Sequence, residues 1–153
     1  LMRIKDQESV YVPESLEALT EAFGKSDLPE QQLRDYLEAC LELTPSISIV
    51  LSLATSMRDE IGDEAMSKYI ANHLKHNPTI RGLTQLIDLH VDNTSGVAKQ
   101  NLTILRSFAE ALVADKPAYR CQDCGFEGKK LFWHCPSCRD WATIKLIFGL
   151  EGE

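Results

Sequence analysis

The chain has 153 residues, 44% of them hydrophobic, and a formal net charge of −7, enough for one domain with a sizeable core or a larger domain plus a small one. The charge is uneven: residues 1–116 hold 11 Lys and Arg against 18 Asp and Glu, whereas residues 117–153 hold 5 of each. Neither part offers the basic face that phosphate binding requires, which argues against nucleic acid as a partner.

In chain order, the opening Leu-Met-Arg-Ile-Lys reads as a boundary inside a longer protein, and residues 1–12 are too weakly patterned to assign. From Glu14 to Gly24, Leu16, Leu19, Ala22 and Phe23 recur at helical spacing. Asp27 with Glu30 resembles a capping box, and Pro29 is expected in the first turn of the next helix, where its missing N–H costs nothing. That helix runs to about Leu43 with Leu33, Tyr36, Leu37, Cys40 and Leu41 on one face. Cys40 is then a small core residue. Its lack of a partner, with no signal peptide visible, points to a reducing compartment.

Thr44-Pro45-Ser46 breaks the chain. The stretch from Ile47 to Ile61 is apolar nearly all round in its first half and reads as a buried helix; its apolar run is far too short to span a bilayer. A tight turn at Gly62-Asp63 leads to a helix presenting Met66, Tyr69, Ile70, His73 and Leu74, which ends at Asn77-Pro78-Thr79. Another helix covers Ile80 to Val91. The last runs from Val97 to about Ala114, with Leu105, Phe108, Ala109 and Leu112 expected inward. His73, His76 and His90 read as solvated or core-edge histidines, and Asp59-Glu60 with Asp63-Glu64 as a wet, charged turn. Gly24 and Gly62 at the turns, and Pro45 and Pro78 at the ends of pairs, come close to the period of tetratricopeptide repeats. A mainly α, antiparallel helix-pair (tetratricopeptide-like) array over residues 1–116 is therefore expected, with an irregular bundle as the alternative. Such arrays bind peptides or proteins, and no catalytic constellation appears in this one.

After Lys116-Pro117 the character changes. Cys121-x-x-Cys124 and Cys135-x-x-Cys138 use four of the five cysteines. Two such pairs can close a tetrahedral site of four sulfurs, suited to zinc or a single iron. Two disulfides or buried thiols are the competing reading, and His134 is a conceivable substitute ligand. About 35 residues cannot hold together by burial alone, so residues 117–153 are expected to form a metal-stabilised domain. Short strands are expected over Tyr119–Cys121, Leu131–His134 and Thr143–Phe148. Gly125 can take the positive φ that aims amides at the sulfurs. At the equivalent place in the second knuckle stands Arg139, which should disfavour that conformation. The six aromatics Tyr119, Phe126, Phe132, Trp133, Trp141 and Phe148 should supply a core and pack on the helices, or expose a partner site. A closed site of four sulfurs leaves no position for substrate, so metal-assisted hydrolysis is not expected.

The knuckles C-x-x-C-G-F and C-P-x-C are similar to those of rubredoxins. The wider string YRCQDCGF…LFWHCPSCRDWATIK…GL, following degenerate helix pairs, resembles the C-terminal part of the lipopolysaccharide assembly protein B family of Gram-negative bacteria. The likeness is close across residues 117–150 and looser across Ile61–Pro78 and Leu102–Lys116. It implies a non-enzymatic adaptor at the cytoplasmic side of the inner membrane, held by a single-pass anchor upstream of this stretch. It implies as partners the FtsH protease, which degrades the LpxC deacetylase, and proteins of lipopolysaccharide synthesis or transport, with oligomers possible. By motif position, Cys121, Cys124, Cys135 and Cys138 would bind one ion, iron or zinc, in a rubredoxin-like domain. One-electron transfer through iron, as in rubredoxins, is the alternative function.

Overall fold

The computed structural model describes residues 2–26 and 29–153, all with their side chains except Asp59. Its helices are α1 (Ile4–Glu8), α2 (Val12–Gly24), α3 (Glu30–Leu43), α4 (Ile47–His76), α5 (Ile80–Asp92) and α6 (Gly96–Val113), with a 3₁₀ turn over Ser9–Tyr11 between the first two. The strands are β1 (Tyr119–Cys121), β2 (Glu127–Gly128) and β3 (Ile144–Leu146). The expected sequence of mainly α helix pairs followed by a small β-containing unit is what the chain forms. Asp27, the first half of the expected capping box, lies outside the described residues. Pro29 sits one place earlier than expected, at the N-cap of α3 with extended backbone.

Consecutive helices pack on one another. Val12, Leu19, Leu33, Tyr36, Leu37, Cys40, Ile49 and Leu53 form one buried cluster, and Ile47, Val50, Ala54, Met66, Ile70 and Leu89 a second. Cys40 is fully buried in the first, as its place on the apolar face of α3 required. Arg34 fastens α3 to α4, donating to Ser56 O and to the Glu60 carboxylate at 2.7 Å each.

α4 is two helices joined at a kink. Gly62 has φ 75° and ψ 167°, a region open essentially to glycine alone. A Cβ on Gly82 would lie 2.5 Å from Leu74 Cδ2 and 2.8 Å from Ile47 Cδ1. A straight helix would hold Ile47 and Leu74 about 40 Å apart at its 1.5 Å rise per residue. The chain therefore folds back at Gly62, where the sequence placed a turn. Gly82 has no side chain, and that lets the start of α5 press into this hairpin. Thr79 caps α5 by accepting from Gly82 N at 3.1 Å.

α6 corrects an expectation. Leu105, Phe108 and Leu112 are more than half exposed, and of the four residues expected inward only Ala109 is buried. Two apolar stripes overlap on this helix, and the packed one runs through Leu102, Ala109 and Val113. Arg106 lies on that side and pairs with Asp88 of α5 at 2.9 Å. The periodicity favoured the larger side chains, but the ion pair and the small Ala109 set the rotation.

The sheet is antiparallel in the order β2-β1-β3, with Tyr119 opposite Gly128 and Leu146, and Cys121 opposite Ile144. The strand expected over Leu131–His134 does not form; a single bridge joins His134 to Trp141. This small unit lies against the helices at two places. Near the start of the array, the Tyr11 hydroxyl donates to the carbonyls of Ala142 and Ile144, while Glu14 bonds Tyr119 and Glu8 pairs with Lys145. At the other, Ile80 N donates to Leu150 O at 2.8 Å. There the buried Glu153 carboxylate accepts from Ser46 Oγ, Ser48 N, Ser48 Oγ and Arg81 Nη1 at 2.6–3.0 Å.

Candidate metal centre

The two knuckles are built alike. In the first, Cys121 N donates to Phe126 O at 2.8 Å and Gly125 N to Cys121 O at 3.1 Å. In the second, Cys135 N donates to Asp140 O at 2.9 Å and Arg139 N to Cys135 O at 3.0 Å. Each is a tight loop whose fifth residue has positive φ, +74° at Gly125 and +67° at Arg139. The arginine thus adopts the conformation its side chain disfavours, and the second knuckle keeps the geometry of the first. Closure of the loop by the hydrogen bonds on either side of Arg139 outweighs a local penalty of about 1–2 kcal/mol.

These loops bring the Sγ atoms of Cys121, Cys124, Cys135 and Cys138 within 4.8 Å of one another. Cys121 to Cys138 is 3.8 Å and Cys124 to Cys135 is 3.7 Å. A disulfide needs about 2.05 Å between sulfurs, and all four thiols are free. A tetrahedron with metal–sulfur bonds of about 2.3 Å has edges of about 3.8 Å. The four sulfurs therefore make a site that could bind one metal ion, and the donor set suits zinc and iron alike. Cys121 and Cys135 are buried, Cys138 is partly so, and Cys124 is exposed.

The surroundings treat the sulfurs unequally. The backbone N–H of Cys124, followed by the hydroxyl of Thr143 3.2 Å away, pulls the Cys121 thiol down to about 6. The Phe126 N–H lowers Cys124. The Asp140 N–H also draws Cys138 down, but burial and the neighbouring Cys135, Asp140 and Cys124 side chains outweigh it, and its pKa is raised. Thiolates crowded at 3.7–3.8 Å repel one another unless a cation lies between them, and a bound divalent ion would deprotonate them outright.

His134 is not among the side chains that converge on the site, and its ring lies 5.2 Å from that of Trp141. Phe126 meets Phe132 edge to face at 6.3 Å, and Trp133 meets Tyr11 at 5.1 Å. Of the six aromatics, Trp133 thus packs at a tilt of 50° against an aromatic ring of the array, and Trp141 is 73% exposed. His73 and His76 take no part: His73 Nε2 is buried without a hydrogen-bond partner among the described residues, and His76 Nδ1 lies 3.1 Å from Asn72 O. Sequence reasoning missed Tyr11, Thr143 and Glu153. No local pattern marks Tyr11 or Glu153, because the hydrogen-bond partners of their side chains are more than 100 residues away, apart from Arg81, 72 residues from Glu153. Thr143 could have been noticed as a hydroxyl beside a strand that returns to Cys121.

Residues 119–145 match the rubredoxin metal binding domain family. The chain is 38% identical over 156 residues to lipopolysaccharide assembly protein B of Escherichia coli (strain K12), an alignment covering 99% of this chain and 39% of that protein. It is 28% identical over 104 residues to the protein of the same name from Haemophilus influenzae, covering 67% of this chain and 26% of the relative. It thus spans about two fifths of the length of the Escherichia coli relative. Four free thiols at tetrahedral spacing, two matched knuckles and an alignment spanning nearly the whole chain agree: the chain is similar to lipopolysaccharide assembly protein B, and its residues 119–145 to the rubredoxin metal binding domain family.

Proposed function

We propose that this chain is part of a non-enzymatic adaptor that restrains lipopolysaccharide synthesis, promoting degradation of the LpxC deacetylase by the membrane protease FtsH. Residues 1–116 act as a tetratricopeptide-like binding array, and residues 117–153 as a domain whose ion, zinc or iron, is held by Cys121, Cys124, Cys135 and Cys138. The observation that carries this reading is the likeness to lipopolysaccharide assembly protein B across 99% of the chain. The closed set of four sulfurs, with no open position for a substrate, supports an ion that holds the fold and does not bind a reactant. No helix among the described residues is long and apolar enough to cross a membrane; by resemblance, the anchor at the inner membrane lies upstream and the array faces the cytoplasm.

In this reading the metal cross-links two loops that a segment this small could not hold by burial. The test is the half-life of LpxC in cells depleted of their own adaptor and supplied with the full-length protein. The intact protein shortens it, and Cys121→Ser or Cys138→Ser does not. Serine variants that stay fully active would contradict the structural role of the metal. Electron transfer through iron, the competing function, requires a reversible ferric/ferrous wave that is lost together with activity.

A further inference from the structure

Residues 142–144 have two sides. Toward the knuckles, Thr143 Oγ1 lies 3.2 Å from Cys121 Sγ, and Thr143 O accepts from Gln122 N at 2.8 Å. A metal-bound thiolate carries no proton, so in the loaded site the threonine hydroxyl is the donor. Toward the helices, the carbonyls on either side of Thr143 both accept from one group. The Tyr11 hydroxyl donates to Ala142 O at 3.2 Å and to Ile144 O at 3.0 Å. Tyr11 is 7% exposed, and its ring is held by Trp133 on one contact and Lys145 Nζ, 4.4 Å from its centroid, on another. The strap is strained where it meets this hydroxyl: Ala142 has φ +56°, a conformation a Cβ-bearing residue keeps only when its surroundings impose it. Ala142 N also donates to Trp133 O at 2.8 Å, tying the strap to the segment that leads into Cys135.

We propose that Tyr11, although it belongs to the helical array, is a positioning residue for the metal centre. It fixes the two carbonyls that flank Thr143 and so aims the Thr143 hydroxyl at the Cys121 sulfur. The proposal rests on the reading of the four cysteines as metal ligands. Its consequence is reciprocal coupling confined to this contact: whatever the Tyr11 hydrogen bonds give to the metal, the metal gives to those bonds by the same factor. Outer hydrogen bonds of this kind change metal affinity by about 10–100-fold in other metalloproteins.

The test uses the full chain loaded with zinc, and follows zinc release to excess chromogenic chelator. Tyr11→Phe removes only the hydroxyl and is expected to speed release about fivefold, the worth of one neutral hydrogen bond. Thr143→Val speeds it by about tenfold or more, and Thr143→Ser restores the wild-type rate. The double variant Tyr11→Phe/Thr143→Val releases zinc no faster than Thr143→Val alone, since the tyrosine acts through that hydroxyl. Glu153→Gln, which loosens docking at the far end, leaves release within about twofold of wild type, being remote from the sulfurs. Wild-type release from Tyr11→Phe overturns the proposal. So do additive effects in the double variant, or equal acceleration by Glu153→Gln, which would mark a general effect of undocking. A chain that takes up no zinc or iron contradicts the metal reading itself, a failure visible before any variant is made.

Discussion

Arg139 concentrates the tension between a residue and its place. Its φ of +67° matches the +74° of Gly125 in the other knuckle, so the loop needs a left-handed residue and the chain supplies a cation instead. A positive charge beside four sulfurs offsets part of their negative charge once a metal is bound, while its Cβ strains the backbone. Variants separate the two effects. Arg139→Ala keeps the strain and loses the charge; Arg139→Gly loses both. In chemical denaturation of the metal-loaded chain, the glycine variant is expected to be more stable than the alanine variant by about 1 kcal/mol. Equal stabilities would mean that the loop relaxes around a Cβ at no cost. The sequence showed the substitution but not its resolution, because the strength of the flanking hydrogen bonds is a property of the closed loop.

Helices announced themselves where one apolar stripe stood alone. Leu33, Tyr36, Leu37 and Cys40 specify the buried face of α3, and all four are buried. The stripe on α6 failed because Leu105, Phe108 and Leu112 compete with the packed Leu102, Ala109 and Val113, and periodicity cannot say which faces the neighbour. The strand expected over Leu131–His134 failed for a related reason. The consecutive Leu131, Phe132 and Trp133 end in aromatic contacts and a single bridge from His134 to Trp141, but no ladder. The hairpin inside α4 was legible from Gly62, and it yields a sharp contrast. Among the described residues, nothing beyond the chain neighbours and the helix's own backbone lies within 4 Å of a Cβ placed on Gly62 or on Gly24, so substitution at either tests backbone conformation and not packing. Gly62→Ala is expected to cost about 1–3 kcal/mol, since φ 75° with ψ 167° excludes a side chain. Gly24→Ala, at ordinary helical φ, should be neutral or stabilising by up to about 1 kcal/mol. Thermal denaturation of both variants decides it; a tolerated Gly62→Ala would mean that α4 does not need this turn.

At the scale of the molecule, residues 119–153 are tied to the helices by directional polar bonds at two places. Tyr11 secures one end. Glu153 secures the other, its carboxylate buried between the two serines at the start of α4 and Arg81 of α5. The start of a helix favours a negative charge, because its first N–H groups lack partners. Glu153→Ala leaves those donors without their acceptor and is expected to destabilise the chain by about 1–3 kcal/mol, measurable by urea unfolding. An unchanged midpoint would show that water replaces the carboxylate freely. Neither polar anchor was legible in the sequence, where Tyr11 lay in an unassigned stretch and Glu153 in an unremarkable Glu-Gly-Glu; the aromatics pointed only to packing on the helices, which Trp133 makes against Tyr11. The cluster of four cysteines was legible, because their spacing carries the geometry of the two knuckles.

The account turns on whether Cys121, Cys124, Cys135 and Cys138 together hold one ion. X-ray absorption at the metal edge of protein purified without added metal, combined with metal analysis, answers this most directly. The expected result is one zinc or iron per chain, bound by four sulfurs at about 2.3 Å. Fewer than four sulfur ligands, a nitrogen or oxygen ligand in their place, or metal-free protein that stays folded with its thiols oxidised would contradict it.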